Sequence, residues 1–203
     1  MQKRHRIFVA INVPQDIKKF LARREEKLAD LPARWTNAEN LHITLVFMGD
    51  LFDTEIGEAC IAVKKVAESH SSFELSLSTI AYGPDNNYSF DEAQDKPPKM
   101  LWAVGEKSKE LSLLKNNLQK SLYERVHFKN DNKSFSPHIT LARIKTFAWR
   151  QIDPDSRPEV EELINLNFSV ESVEVMESEL KKGGQRYSVI ESFQLTGGSE
   201  EGQ

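Results

Sequence analysis

The chain has 203 residues, of which 39% are hydrophobic and 29% charged, with a formal net charge of −4. That length suits one domain, or two small lobes sharing a core, and the acidic balance argues against a sequence-reading binder of duplex nucleic acid. Cys60 is the only cysteine, which excludes an internal disulfide and a cysteine-rich zinc site.

Ile7-Phe8-Val9-Ala10-Ile11 is β-branched and apolar and predicts a buried strand. The apolar run ends at Pro14-Gln15-Asp16, too early for a signal peptide or a membrane span, so a cytoplasmic protein is expected. Pro14 opens a helix from about Gln15 to Leu31, which Pro32 ends. Leu41 to Met48 is a strand stopped by Gly49-Asp50. Asp53 or Thr54 caps a helix reaching about Ser69, and Phe73 to Tyr82 alternates as a strand with one wet face. Gly83 to Lys99 is irregular and acidic, a surface loop between lobes or a lid whose Tyr88 and Phe90 stack on a base.

The order then restarts. Met100 to Val104 is a strand, Lys107 to Arg125 a helix, and Ser136 to Arg143 a second strand. Pro158 to Ile164 reads as a short helix. Phe168 to Leu180 and Tyr187 to Leu195 read as a hairpin about Gly183-Gly184, and residues 197–203 as a disordered tail.

His42-Ile43-Thr44-Leu45 recurs as His138-Ile139-Thr140-Leu141, at the same place in each half, which points to internal duplication. On a strand, residues two apart share a face. Each copy therefore presents one imidazole, able to carry or lend a proton near pH 7, and one hydroxyl. The isoleucines and leucines point to the core. An imidazole is costly to bury unpaired on an inward face, so a shared polar cleft is the natural home for both. Two imidazoles and two hydroxyls about one pocket suit in-line displacement at a phosphate ester.

Zinc would need a carboxylate or thiolate beside the imidazoles. Glu39 and Asp50 flank the first motif, nothing equivalent flanks the second, and the neighbour on the shared face is threonine, so no metal is expected. Arg143 lies five residues after His138, and strict alternation puts it on the opposite face; a strand end or a bulge would swing it back towards a phosphate. His5, His70 and His127 are expected to be ordinary surface or packing residues, and Trp35 and Trp102 to be core. For Phe47 and Phe135, cleft lining and burial stand equally open.

These residues resemble the two-histidine phosphoesterase superfamily, and within it the RNA 2′,3′-cyclic phosphodiesterase group, historically called 2′-5′ RNA ligase. The matching pieces are Arg6 to Ile11 with Pro14, Arg34-Trp35, Asn40 to Leu45, Phe47-Met48-Gly49, Leu101-Trp102-Ala103, Phe135 to Arg143, Glu177 to Leu180, Gly184, Tyr187 and Phe193-Gln194-Leu195. Met48 stands where the group often has leucine, and the 83–99 loop is longer than usual.

The resemblance implies an α+β fold: two pseudo-twofold-related β-α-β-α-β lobes, about 6–83 and 100–196, with antiparallel sheets facing a central cleft and helices outside. Residues 1–196 would form a single bilobal domain. It also implies hydrolysis of RNA 2′,3′-cyclic phosphate ends to 2′-phosphomonoesters, without metal or cofactor, and possible reverse 2′-5′ ligation. His42 would be the general acid and His138 the general base, with Thr44, Thr140 and Arg143 on the phosphate. The implied partners are RNA 3′ ends or small nucleotides bearing a 2′,3′-cyclic phosphate, met by a monomer away from membranes. A relative acting on 2′-5′ oligonucleotides or small cyclic nucleotides, and a non-catalytic nucleotide-binding module, stay open as alternatives.

Overall fold

The computed structural model describes residues 3–84, 97–128, 135–182 and 184–197. Its strands are β1 (His5–Asn12), β2 (Ala33–Trp35), β3 (His42–Leu51), β4 (Phe73–Gly83), β5 (Met100–Gly105), β6 (His138–Ile144), β7 (Glu161–Val170), β8 (Ser172–Lys181) and β9 (Gly184–Gln194). Its helices are α1 (Gln15–Ala22), α2 (Arg24–Lys27), α3 (Asp53–Ala67), α4 (Lys109–Arg125) and α5 (Thr146–Arg150).

The class is α+β, and every strand pair is antiparallel, as expected. The strands of the two halves nevertheless merge into one nine-stranded sheet of order β7-β4-β5-β6-β3-β1-β8-β9, with β2 alongside β6. β4 joins β5, and β8 joins β1, so each side of the sheet draws strands from both halves of the sequence. The sides meet where β3 touches β6, at Ile43 opposite Ile139.

Ile7, Val9, Ile11, Ile43, Leu45, Ile139 and Leu141 all point to one face and are buried. There α3 and α4 pack against each other, α3 also meets β8 and β9, and α4 meets β3. Burial of that face is the main stabilising term, at roughly 1.5–3 kcal/mol for each large aliphatic side chain. The opposite face carries a smaller apolar cluster of Phe8, Ala10, Met176 and Tyr187, beside the motif histidines.

Several elements differ from their expected form. The helix expected over Gln15 to Leu31 breaks after Ala22, where the buried Arg24 turns its guanidinium back to donate to the Phe20 carbonyl (3.1 Å) and to pair with Glu162 (2.7 Å). A partly buried ion pair to a distant strand competes there with the helical pattern. Residues 158–164 form no helix: from Glu161 the chain is edge strand β7, paired with β4 at Glu161 opposite Ala81. Its alternation with solvent leaves Leu163 83% exposed, while the spacing of Val160, Leu163 and Ile164 mimics a helix turn. The strand expected over Phe168 to Leu180 is interrupted at Glu171, so β7 and β8 are separate. Tyr88, Phe90 and residues 198–203 lie outside the described residues.

Candidate active site

The two motif strands begin with their histidines. His42 and Thr44 on β3, and His138 and Thr140 on β6, are all half-buried, while the intervening isoleucines are fully buried on the other side. With Ile43 opposite Ile139, one step along each strand sets His42 opposite Thr140 and Thr44 opposite His138. Opposite residues of an antiparallel pair share a face, so the four side chains form a square with the imidazoles on one diagonal. Diagonal neighbours stand about 7–8 Å apart, leaving room for one phosphoryl group between the rings.

Each motif is followed by a β-bulge at the same offset. Against β1 the register steps from Ala10–Thr44 to Val9–Val46, leaving Leu45 unmatched. Against β5 it steps from Trp102–Thr140 to Leu101–Ala142, leaving Leu141 unmatched. Two consecutive residues are then buried, Leu45-Val46 and Leu141-Ala142, and the alternation reverses. Arg143 is thereby exposed on the face of His138 and Thr140, overturning what strict alternation dictates. Phe47 is its counterpart after the first motif, 47% exposed, with the Arg6 guanidinium 4.9 Å from its ring centre. A further step at Met48, just before Gly49 at φ 83°, uses the left-handed backbone that glycine adopts at little cost.

Both imidazoles are held by the backbone two residues upstream. His42 Nδ1–H donates to the Asn40 carbonyl (2.7 Å) and His138 Nδ1–H to the Ser136 carbonyl (2.8 Å). A carbonyl only accepts, so Nδ1 carries hydrogen in both rings and each Nε2 is left for chemistry. His42 Nε2 lies 3.0 Å from Thr44 Oγ1.

Burial lowers the pKa of both histidines below the usual 6.5, partly opposed by the carbonyl bonds. Lys18 and His138 push His42 down further. The walls differ. Phe8 and Tyr187 lie at 5.0 Å from the His42 ring, Tyr187 edge-on, whereas Trp102 stacks on His138 at 3.7 Å. Burial also raises the Tyr187 phenol, against the pull of nearby Arg143 and Arg6.

Other candidates fall elsewhere. His5 is no loose terminal residue: it opens β1 between Glu177 (2.7 Å) and Asp53 (3.3 Å). His70 is buried, 3.1 Å from Asn117 Nδ2, and His127 is exposed. Phe135 and Trp35 pack partly buried against the main core. Trp102, expected in the core, is half-buried against His138, and Gly83 makes room for it, since a Cβ there would overlap the indole. Tyr187 and Phe8 were not legible as site residues; the only signal was an aromatic in the exposed alternation of β9. Cavities of about 300 Å³ beside Trp35 and Leu141, and about 240 Å³ beside Asn12 and Glu174, are lined by neither histidine. The histidines stand instead on the open face of the sheet. Among the described residues no three His, Cys, Asp or Glu side chains converge to hold a metal ion, and no helix is long and apolar enough to cross a membrane.

Paired histidine–threonine strands meeting on one face of an antiparallel α+β sheet are the arrangement of a two-histidine phosphoesterase. The LigT-like phosphoesterase family model matches residues 7–89 and 104–187, and the chain belongs to that family. It is similar to the RNA 2′,3′-cyclic phosphodiesterase of Thermotoga maritima, at 26% identity over 95% of this chain and 97% of that one. It is likewise similar to the RNA 2′,3′-cyclic phosphodiesterase of Thermus thermophilus, at 29% identity over 98% and 95%. The crystal structure of TT0787 from Thermus thermophilus superposes with a TM-score of 0.79 at 26% identity, covering 95% of this chain and 99% of that one. Escherichia coli LigT, crystallised with 3′-AMP, shares the fold with a TM-score of 0.76 at 20% identity, over 95% and 99%.

Proposed function

We propose that the protein hydrolyses the 2′,3′-cyclic phosphate at the 3′ end of RNA to a 2′-phosphomonoester, as a cytoplasmic monomer using two histidines and no metal. The observation that carries this reading is the diagonal pair of imidazoles on one sheet face, each with Nδ1–H tied to a backbone carbonyl.

Water attacks phosphorus from the His138 side and gives its proton to His138 Nε2. The bond from phosphorus to the ribose 3′ oxygen breaks, and His42 Nε2 protonates the departing oxygen. Each transfer is worth typically 10²–10⁴-fold. Opposite placement of the rings suits in-line displacement. Thr44 and Thr140 donate to the nonbridging oxygens, and Arg143 adds a fixed positive charge. With an RNA 5′-hydroxyl in place of water, the same displacement forms a 2′-5′ linkage.

The assignment of acid and base follows the family resemblance, and the Lys18 charge adds to burial in lowering the pKa of His42. The test is an RNA oligonucleotide ending in a 2′,3′-cyclic phosphate, incubated with and without EDTA, with the product read by phosphorus NMR. The expected result is a 2′-phosphate at the same rate in both. A 3′-phosphate would overturn the leaving-group assignment, loss of rate with EDTA the metal-free mechanism, and an inert substrate the function itself.

A further inference from the structure

Beyond the motif square, two arginines face each other across one strand pair. Arg34 on β2 lies directly opposite Arg143 on β6, and both are exposed. Directly opposite like charges destabilise a sheet. Among the described residues, neither guanidinium has a carboxylate at ion-pair distance. In a chain of net charge −4, this cationic pair beside a candidate phosphate site calls for an anion.

Arg34 also has the hairpin beside it. The tip of the β8–β9 hairpin passes so close that a Cβ on Gly184, at φ 120°, would overlap the Arg34 guanidinium. The same tip is tied to the turn before His42, where Asn40 Nδ2 donates to the Gln185 carbonyl (2.8 Å). Arg34 thus lies beside the hairpin tip that is bonded to the turn before His42. Three residues of strand separate Arg143 from Thr140, a run of about 10 Å. Arg34 stands one strand further across, about 5 Å away. Thr140, Arg143 and Arg34 form a track leading away from the reacting phosphorus.

We propose that Arg34, the next cation outward from Arg143, binds the phosphodiester that joins the terminal nucleotide of an RNA strand to its neighbour, and so selects strand ends over free cyclic nucleotides. This rests on the proposed hydrolysis of cyclic phosphate ends and names its specificity determinant. A guanidinium suits the role because it presents paired donors to phosphate oxygens and stays charged.

The test compares kcat/KM for an adenosine trinucleotide ending in a 2′,3′-cyclic phosphate with that for adenosine 2′,3′-cyclic monophosphate. In Arg34→Ala the preference for the trinucleotide should fall about tenfold, mainly through KM, as for the loss of one charge-assisted contact. Its salt dependence should weaken by about 0.7 in log–log slope, the loss of one single-strand phosphate contact. Arg34→Lys should restore the slope. An equal loss on both substrates, or no change in preference, overturns the proposal. If the wild type hydrolyses neither substrate, the functional reading falls by itself. The arginine site is then judged by anisotropy titration of a labelled trinucleotide ending in a 2′-phosphate, where Arg34→Ala must weaken binding and flatten the salt slope, and unchanged binding rejects it.

Discussion

The two motif strands have nearly the same backbone and quite different neighbours. Each carries its histidine and threonine on one face, ties Nδ1–H to the carbonyl two residues back, and bulges at the third residue after the histidine. Around His42 stand Phe8, the edge of Tyr187, and the charge of Lys18; around His138 stands the flat of Trp102. After one bulge comes Phe47, after the other Arg143. The repeated backbone places the two rings alike, and the side chains around them give them unlike surroundings.

The largest test removes either ring. His42→Ala and His138→Ala should each lower kcat by about 10²–10⁴-fold, and the double variant should be no slower than the worse single one, because the residues act as a unit. Circular dichroism should show the fold retained, since both rings lie off the main core. A variant retaining substantial activity would break the symmetry of need between the motifs.

Next in size, Thr44→Val and Thr140→Val should each cost about 10²-fold or more in kcat, the loss typical of an oxyanion donor. Thr44→Val should be the worse of the two, because Thr44 also touches His42 Nε2. Equal losses in steady-state kinetics would show that this contact has no catalytic consequence.

The pH profile sharpens the comparison further. Both histidines have pKa values lowered by burial, so the singly protonated pair is most populated below pH 6.5. The kcat/KM maximum should lie there and fall as pH rises through neutrality. Replacing Trp102 by Leu uncovers His138, raises its pKa and moves the acid limb upward. Tyr187→Ala uncovers His42 and moves the basic limb upward instead. If both variants moved the same limb, the division into acid and base would be wrong. The smallest effect is on stability. Each lowered histidine pKa contributes stability that is complete above the unfolded-state value and is lost as pH falls through the folded-state one. Denaturant midpoints should therefore drop below about pH 6.5, less so in His42→Asn and His138→Asn than in wild type.

Sequence reading placed each histidine and its threonine on one strand face because period-two alternation is local, and the resemblance implied that the two faces meet. It missed what depends on partner strands. For Arg143 alternation gave the opposite face and left a bulge open as the alternative; the bulge at Leu141 exists only against β5. Trp102 read as core, but its position beside His138 comes from the same pairing. Tyr187 reaches His42 by the β3-β1-β8-β9 path through the sheet, which no spacing announces. Arg24 broke a helix through an ion pair to Glu162, 138 residues away. Pro158 to Ile164 misled because Val160, Leu163 and Ile164 fall at helical spacing in too short a segment to fix a period.

The matched bulges bear on ancestry. An extra residue at the same offset in both copies is most simply inherited, which dates the kink before the gene doubled. A progenitor of half the length would have carried one imidazole and needed a second molecule of itself to complete a working centre. One chain holding both copies has no such dependence on concentration, and the residue after each kink differs between them, a ring in one and a cation in the other.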